Sequence, residues 1–435
     1  MDPTILGILG LILMVVLLML GLPLPVTFLV IGFIGMGLVR GWVPALILVK
    51  QIPYSQLADF SWSVIPFFIM LGLVLFDCGV GEEIFRAVQR WLGHFSGGMA
   101  AATSGACAFL GTVTGSGFAA TILMSKTAYP EMRKLNYEPG LSLAVCASSG
   151  TVAMLIPPSV LLVQYAIITE QSVAETLLAG FIPGFLSMAI YMAMILIRVR
   201  FNPDLGPPSP AASWRVRFVD LRYLLPAVIM MATIIGGLYF GVFTATEAGG
   251  IAALVSFIIV LALRRLTWAR FKATIYETLQ LTILVALMLM MIRGFYNLFL
   301  NITWLPAAIA DMALEMPSPW LVLTAMYLIC FIFGMLTGGP MGYVIVPLFT
   351  PVVESLGFNP VWFIITIVKM METGAITPPV AFSAFIVQGI VREVPLGKLF
   401  KAVWWFVLCD MFTLGLFIAF PKIVMFLPDT MRAMG

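Results

Sequence analysis

Long apolar segments follow one another along the whole chain, and short breaks of Pro, Gly or charged residues separate them. Most of them are close to the length at which a helix crosses the ~30 Å hydrocarbon core of a bilayer. The predicted spans cover residues 4–21, 25–39, 62–79, 140–168, 181–198, 223–242, 248–263, 274–292, 361–390 and 402–420. The pattern therefore predicts an all-α polytopic membrane protein.

A double proline, Pro157-Pro158, interrupts one of the longest apolar segments. Pro158 lacks an N–H group, and Pro157 is pushed out of the helical region by the proline after it. The helix is therefore predicted to break within residues 148–159. The break releases backbone N–H and C=O groups at membrane depth, where each unsatisfied group costs several kcal/mol. An ion, a water-lined cavity or neighbouring protein must take these groups up.

The same pattern occurs a second time, 221 residues further along the chain. Pro130, Pro139, Pro157 and Pro158 recur as Pro351, Pro360, Pro378 and Pro379. A second break is thus predicted within residues 369–380. Two halves with corresponding broken segments are typical of transporters built from inverted repeats. The predicted units are a first repeat over residues 1–201, a linker over 202–222 and a second repeat over 223–435.

Two Gly-rich segments, around residues 96–125 and 319–347, precede the two breaks. Each has two limbs that are short for a full crossing, and each has a Gly-containing tip, at 114–117 and 337–340. We predict two re-entrant hairpins. With the N-terminus outside and hairpins that do not cross, 17 of the 23 Lys and Arg residues fall on the cytoplasmic side and five outside. The positive-inside rule favours this orientation, with a cytoplasmic linker.

Composition excludes several classes of protein. Hydrophobic residues make up 62% of the chain and charged residues only 10%. Because about a quarter of the residues in typical soluble domains are charged, this composition excludes a soluble domain and fits a polytopic membrane protein. The net charge of +3 does not indicate a nucleic-acid surface. Five cysteines without CxxC spacing and a single histidine provide neither a disulfide framework nor a metal cluster for an intramembrane enzyme.

Four blocks of residues carry a resemblance to one family: 115–132, 147–159, 241–249 and 372–380. Within the third, Glu247 lies in Phe243-Thr244-Ala245-Thr246-Glu247-Ala248, which is similar to a Thr-Pro-Thr-Glu-Ala stretch of that family. Over nearly its whole length the chain resembles the large membrane subunit of tripartite ATP-independent periplasmic (TRAP) transporters.

The resemblance implies an elevator-type secondary transporter of the bacterial inner membrane, with a periplasmic N-terminus. It implies coupling to sodium, no organic cofactor, and two protein partners: a periplasmic substrate-binding protein and a small four-helix membrane subunit. The family's substrates are mostly organic acids such as C4-dicarboxylates, sialic acid and 2-oxo acids. The chain contains no Walker-type loop, which agrees with transport without ATP.

Sodium takes oxygen ligands, which the carbonyls and hydroxyls freed at a broken helix can supply. By resemblance, a first sodium site draws on hairpin 1 and the first broken span: Ser116, Ser149, Gly150, Val152 and Pro157. By the same resemblance, a second site draws on hairpin 2 and the second broken span: Thr337, Gly338, Met371, Thr373 and Gly374. For each of these residues, close helix packing is the alternative role.

The sequence departs from the family around the second site. Its second tip has no carboxylate, and Met370 and Ser383 stand where many members have Asn. Lys369 and Glu372 are three residues apart, so on a helix they share a face and can pair. An ionisable residue at membrane depth is a functional candidate, although such a pair can also be structural. The candidate substrate ligands are Lys369, Ser383, Ser159 and Arg293, with snorkelling to the outer interface as the alternative for Arg293.

The alternative function is a hairpin elevator carrier that works alone, coupled to sodium or protons. Uptake without a binding protein or small subunit would select it. An intramembrane enzyme would need a nucleophile–base pair or a metal cluster at depth, which this composition does not favour.

Overall fold

The computed structural model describes residues 2–337 and 342–434. Every regular element in these two ranges is a helix, which confirms the predicted all-α class. Six of the described helices are long and apolar enough to cross a membrane by length and composition. They are Phe60–Asp77, Val173–Phe201, Trp214–Tyr239, Ala245–Ala262, Trp268–Ile302 and Leu396–Ala419.

The first half begins with helices that precede hairpin 1 and ends with a long helix after the first break. Its helices are α1 (Pro3–Met19), α2 (Leu24–Arg40), α3 (Trp42–Leu57), α4 (Val64–Asp77), α5 (Val80–Leu92), α6 (Gly98–Thr114), α7 (Gly117–Lys134), α8 (Pro139–Val152), α9 (Val160–Ile168) and α10 (Val173–Phe201). Hairpin 1 consists of α6 and α7, and α8 and α9 are the two limbs of the first broken span.

The second half follows the same plan. Its helices, including one in the linker, are α11 (Trp214–Asp220), α12 (Leu225–Met231), α13 (Gly237–Tyr239), α14 (Ala245–Ala262), α15 (Trp268–Met291), α16 (Asn297–Ile302), α17 (Leu305–Leu314), α18 (Pro319–Thr337), α19 (Gly342–Ser355), α20 (Pro360–Ile376), α21 (Phe382–Ile390), α22 (Leu396–Ala419) and α23 (Lys422–Met434). A π-helical turn, Ile292–Tyr296, joins α15 to α16.

Corresponding residues of the two halves start the two broken spans. Both α8 and α20 have proline in the first helical turn, where a missing N–H costs nothing. Glu138 caps α8 by accepting a hydrogen bond from the Leu141 N–H at 2.6 Å. Asn359, 221 residues later, caps α20 by accepting from the Val361 N–H at 2.8 Å. The repeat seen in the prolines therefore extends to the helix caps.

The two interruptions are shorter than the predicted segments. The first broken span stays helical to Val152 and resumes at Val160, and the second stays helical to Ile376 and resumes at Phe382. A proline disturbs its own turn and the residue before it, but not the turns further upstream. Residues 148–152 and 369–376 therefore present their side chains from regular helices.

The predicted linker contains a helix that packs on the first half. Ser213 caps α11, and the aromatic ring of Phe218 lies edge-on to Trp91 of α5 at 5.5 Å between centroids. The Trp91 indole N–H also donates to the Arg217 carbonyl at 3.2 Å. The sequence predicted only a linker here, but the aromatic residues at its end give it a packed face.

Candidate functional site

The tip of hairpin 1 lies directly on the first break. Gly115 has φ of 59°, a left-handed conformation that favours glycine, and its carbonyl accepts the Val160 N–H at 3.4 Å. A Cβ at Gly115 would lie 2.7 Å from the Pro158 carbonyl oxygen. Ser116 then starts α7, its hydroxyl accepting from the Ala119 N–H. Glycine at this position thus allows the tip to reach the broken backbone.

Backbone and side-chain oxygen atoms lie close together where α7 packs against the end of α8. A Cβ at Gly117 would lie 2.6 Å from the Gly150 carbonyl oxygen, and one at Gly150 would lie 2.0 Å from Thr121 Oγ1. Thr121 Oγ1 is buried and has no hydrogen-bond partner among the described residues, and the same holds for Ser148 Oγ on α8. Leaving a buried hydroxyl unsatisfied costs about 1–3 kcal/mol. A cation bound beside the Gly150 carbonyl that takes up Thr121 Oγ1 would offset that cost.

The predicted residues of the first sodium site come together here only in part. Ser116 lies at the tip, and Gly150 lies against α7. Ser149 Oγ instead lies 2.6 Å from Ser104 Oγ of α6, and Val152 and Pro157 are buried along the end of α8 and the break. Sequence reasoning missed Thr121, because a threonine inside a helix carries no signal until its neighbour is known.

For the predicted second site, the structure describes the surroundings only of the three residues on α20, which are Met371, Thr373 and Gly374. Thr337 is the last residue of α18, and Gly338 lies outside the described residues. Gly374 packs closely on α18, since a Cβ there would lie 2.6 Å from the Gly334 carbonyl carbon. Thr373 Oγ1 donates to the Lys369 carbonyl at 2.9 Å. The second site therefore stays a prediction.

The first broken span also contacts the second half. The Tyr165 hydroxyl of α9 donates to Met371 Sδ of α20 at 3.3 Å. The Tyr343 hydroxyl of α19 donates to Gln164 Oε1, and the rings of Tyr165 and Tyr343 are 5.2 Å apart. Helix α9 thus joins the region of hairpin 2 to the region of hairpin 1.

A cavity of about 590 Å³ lies beside this assembly. Hairpin 1, the broken spans and α19 line it on one side, and α2, α4 and α15 line it on the other. Its lining is mostly apolar, and Asp77 and Glu277 are the charged residues among its described lining residues. The predicted substrate ligands line no part of it: Lys369, Ser383, Ser159 and Arg293.

Lys369 belongs instead to a buried ionic network that connects three helices. Its Nζ lies 2.6 Å from Asp410 Oδ1 of α22 and 3.2 Å from Glu372 Oε2, and all three side chains are 0% exposed. The Tyr191 hydroxyl of α10 donates to the same Asp410 oxygen at 2.7 Å. The Lys369–Glu372 spacing predicted one contact, and the contact with Asp410 could not be seen in the sequence.

Arg293 connects two parts of the surface rather than facing the cavity. Its guanidinium lies 3.0 Å from Asp59 Oδ2 and 3.1 Å from Glu170 Oε1. The backbone N–H of Ser61 lowers the pKa of Asp59, and Arg293 lowers it further. Since Glu170 follows α9 while Arg293 follows α15, this bridge joins the broken span to the opposite wall of the cavity.

The other two serine candidates are also buried. Ser159 caps α9 by accepting from the Leu162 N–H, and its hydroxyl donates to the Met154 carbonyl at 2.5 Å. Ser383 lies in the first turn of α21, and its hydroxyl has no hydrogen-bond partner among the described residues.

Comparison with known proteins adds the following relationships. Residues 11–423 match the sequence model of the family described as tripartite ATP-independent periplasmic transporter, DctM component. The chain is 31% identical over 349 residues to the C4-dicarboxylate TRAP transporter large permease protein DctM of Pseudomonas aeruginosa, covering 79% of this chain and 80% of that protein. It is 28% identical to the ectoine/5-hydroxyectoine TRAP transporter large permease protein UehC of Ruegeria pomeroyi, covering 96% and 97%.

A solved structure has a similar fold at much lower identity. The YdaH transporter of Alcanivorax borkumensis superposes with a TM-score of 0.61 at 14% identity, covering 88% of this chain and 90% of that one. At this identity the likeness concerns the fold alone.

Proposed function

Because the chain belongs to the DctM component family of tripartite ATP-independent periplasmic transporters, we propose that it is the large permease of a sodium-coupled transporter that takes up a small organic acid by an elevator movement. Its relatives are permeases rather than enzymes. Their names give different substrates, among them C4-dicarboxylates, ectoine and sialic acid. Family membership alone therefore leaves the substrate open.

The observation that carries the proposal is the docking of hairpin 1 on the first break, with a buried hydroxyl at the contact. The Gly150 carbonyl and Thr121 Oγ1 lie at this contact, and Thr121 Oγ1 has no hydrogen-bond partner among the described residues. Sodium would be held by neutral oxygens of this kind. If its ligands came from both hairpin 1 and the broken span, an ion bound between them would favour the docked tip over a lifted one.

The elevator movement is supported by how the cavity is built. One wall is formed by hairpin 1 and the broken spans, and the other by α2, α4 and α15. A body made of hairpins and broken spans can slide along such a wall while it carries the cavity. The inverted repeat, with units over residues 1–201 and 223–435, would place the two hairpins on opposite sides of that body.

The proposed transporter lies in a membrane and works with two other proteins. The described helices and the family indicate an integral membrane protein. We place it in the bacterial inner membrane with the N-terminus in the periplasm, on the distribution of Lys and Arg. A small four-helix subunit and a periplasmic binding protein are the expected partners.

The test is uptake into proteoliposomes that contain this chain and its small subunit. Radiolabelled organic acids are offered with and without a sodium gradient, and with and without the binding protein. We expect uptake that requires both. Uptake without a binding protein would support the stand-alone carrier, and uptake driven by a proton gradient alone would refute sodium coupling.

A pair of hydroxyl variants tests the site itself. Thr121→Ala removes the buried hydroxyl beside Gly150, and Ser187→Ala removes a buried hydroxyl of α10 that bonds to the Pro183 carbonyl. The first is expected to raise the sodium concentration for half-maximal uptake, and the second is expected to leave it unchanged. Equal behaviour of the two variants would contradict the placement of the site.

A further inference from the structure

The charges along the cavity indicate what kind of molecule it accepts. Asp77 at the end of α4 and Glu277 on α15 both line it, and both are exposed. Asp77 accepts a hydrogen bond from Thr274 Oγ1 at 3.2 Å, and Glu277 has no hydrogen bond or ion pair with any residue that the structure describes. One wall of the cavity therefore carries negative charge that this chain leaves available.

The positive side chains near Asp77 lie outside the cavity lining: Arg265 and Arg270 both lie beside Cys78. No Lys or Arg occurs among the described residues that line the cavity. The four residues from 338 to 341 are Gly, Gly, Pro and Met, so they add no charged side chain. Anionic groups of a bound molecule must therefore be held by neutral donors or by a metal cation.

Such donors lie on the opposite wall, at the start of α7. Ser116 caps only the Ala119 N–H, so the N–H groups of Gly117 and Phe118 point out of the first turn of this 18-residue helix, at the positive end of its dipole. Gln164 also lines the cavity and is 4% exposed. Its Oε1 accepts from Tyr343, while its Nε2 has no partner among the described residues.

Between the two polar regions the cavity is apolar. Phe76, Phe118, Met154, Leu281, Val285 and Met288 are among the residues that line it. Burying a charged group against such side chains without a partner is strongly unfavourable. A bound molecule therefore needs an apolar middle between its polar ends.

We propose that the cavity takes a zwitterionic organic acid, with its carboxylate at the start of α7 and Gln164 and its cationic nitrogen towards Asp77 and Glu277. The proposal rests on the proposed function, because it names the class of substrate for that transporter. A dicarboxylate would place its second carboxylate against the apolar lining or against Asp77 and Glu277, where like charges repel.

The test compares binding of molecules that have the same shape but different charge. Glycine betaine is paired with tert-butylacetate, an anion of the same shape in which carbon replaces the cationic nitrogen. Proline betaine and its carbocyclic carboxylate isostere form a second pair, and succinate represents the dicarboxylates. Binding to the purified chain with its small subunit, in sodium chloride, is measured by isothermal titration calorimetry. We expect each zwitterion to bind about fivefold more tightly than its isostere, as for a partly exposed ion pair.

Variants locate the source of that preference. Asp77→Asn combined with Glu277→Gln is expected to abolish it, while Glu315→Gln, an exposed carboxylate outside the cavity, is expected to retain it. Succinate or an isostere binding as tightly as the zwitterions would overturn the proposal. So would a preference that survives the double change, or the failure of both zwitterions to bind at millimolar concentration.

The results that test the proposed function differ from those that test the substrate class. Uptake of succinate that requires sodium and the binding protein would keep the proposed function and refute the zwitterion. Zwitterion binding without any effect of sodium on uptake would keep the substrate class and refute the coupling.

Discussion

Replacing Lys369 by Met should destabilise the protein strongly, because Lys369 is the positive member of a fully buried network. Glu372 and Asp410 would lose their counter-charge, and each already has one oxygen without a partner among the described residues. Removing one member of a buried ion pair costs about 3–5 kcal/mol, since an uncompensated charge remains. We expect a loss of that size in the free energy of unfolding.

Removing all three charges together should reverse most of this loss. In the triple variant Lys369→Met, Glu372→Gln, Asp410→Asn, no buried charge remains and the side chains keep similar volumes. Replacement of a whole buried ionic network by neutral groups is often close to neutral in stability. The triple variant is therefore expected to fall within about 1–2 kcal/mol of the wild type.

The assay is unfolding of purified protein in mixed micelles, followed by circular dichroism. Lys401→Met, which changes an exposed lysine at the start of α22, is the control and should alter the free energy of unfolding by less than about 0.5 kcal/mol. A Lys369→Met variant as stable as the wild type would refute the reasoning. A triple variant with restored stability but no uptake would show that the network serves transport and not only folding.

Three further changes test other parts of the structure. Pro157→Ala with Pro158→Ala should abolish uptake while membrane insertion, measured by fractionation, stays normal, because a continuous helix cannot present the break. Thr121→Val should raise the half-saturating sodium concentration about tenfold, or ~1.4 kcal/mol, in uptake assays; an unchanged value would remove Thr121 from the site. The pKa of Asp59 is lower in the folded protein than its unfolded value of ~3.9, so the ionised carboxylate stabilises the folded protein at pH values above ~3.9. This contribution is lost as pH falls through the folded pKa. The stability difference between wild type and Asp59→Asn, measured against pH, should therefore shrink below that range, and a constant difference would contradict it.

The sequence predicted those features that depend on local chain chemistry. Pro157-Pro158 and Pro378-Pro379 predicted where both spans break, and glycines at the tip predicted the turn of hairpin 1. The residues at which the helices end could not be predicted, because proline acts on its own turn and the pattern does not show how far the helix before it extends. The repeat of prolines also indicated a similar order of helices in both halves.

Contacts between distant segments could not be predicted in the same way. Lys369 and Glu372 are three residues apart, so their contact follows from helical spacing, but Asp410 lies on another helix. Nothing in the spacing shows that α22 brings a carboxylate to this point. The cavity was missed for the same reason: Asp77 and Glu277 are ordinary charged residues at helix positions until α4 and α15 are placed side by side.

The hydrogen bond from Tyr165 to Met371 has a consequence for cooperativity. It ties the second limb of the first broken span to the helix that carries the predicted second sodium site, and Gln164 likewise contacts Tyr343 of α19. A change of position at one hairpin must therefore be accommodated at the other. We expect ion binding at the two regions to be thermodynamically linked, so that each occupancy alters the affinity of the other by the same factor.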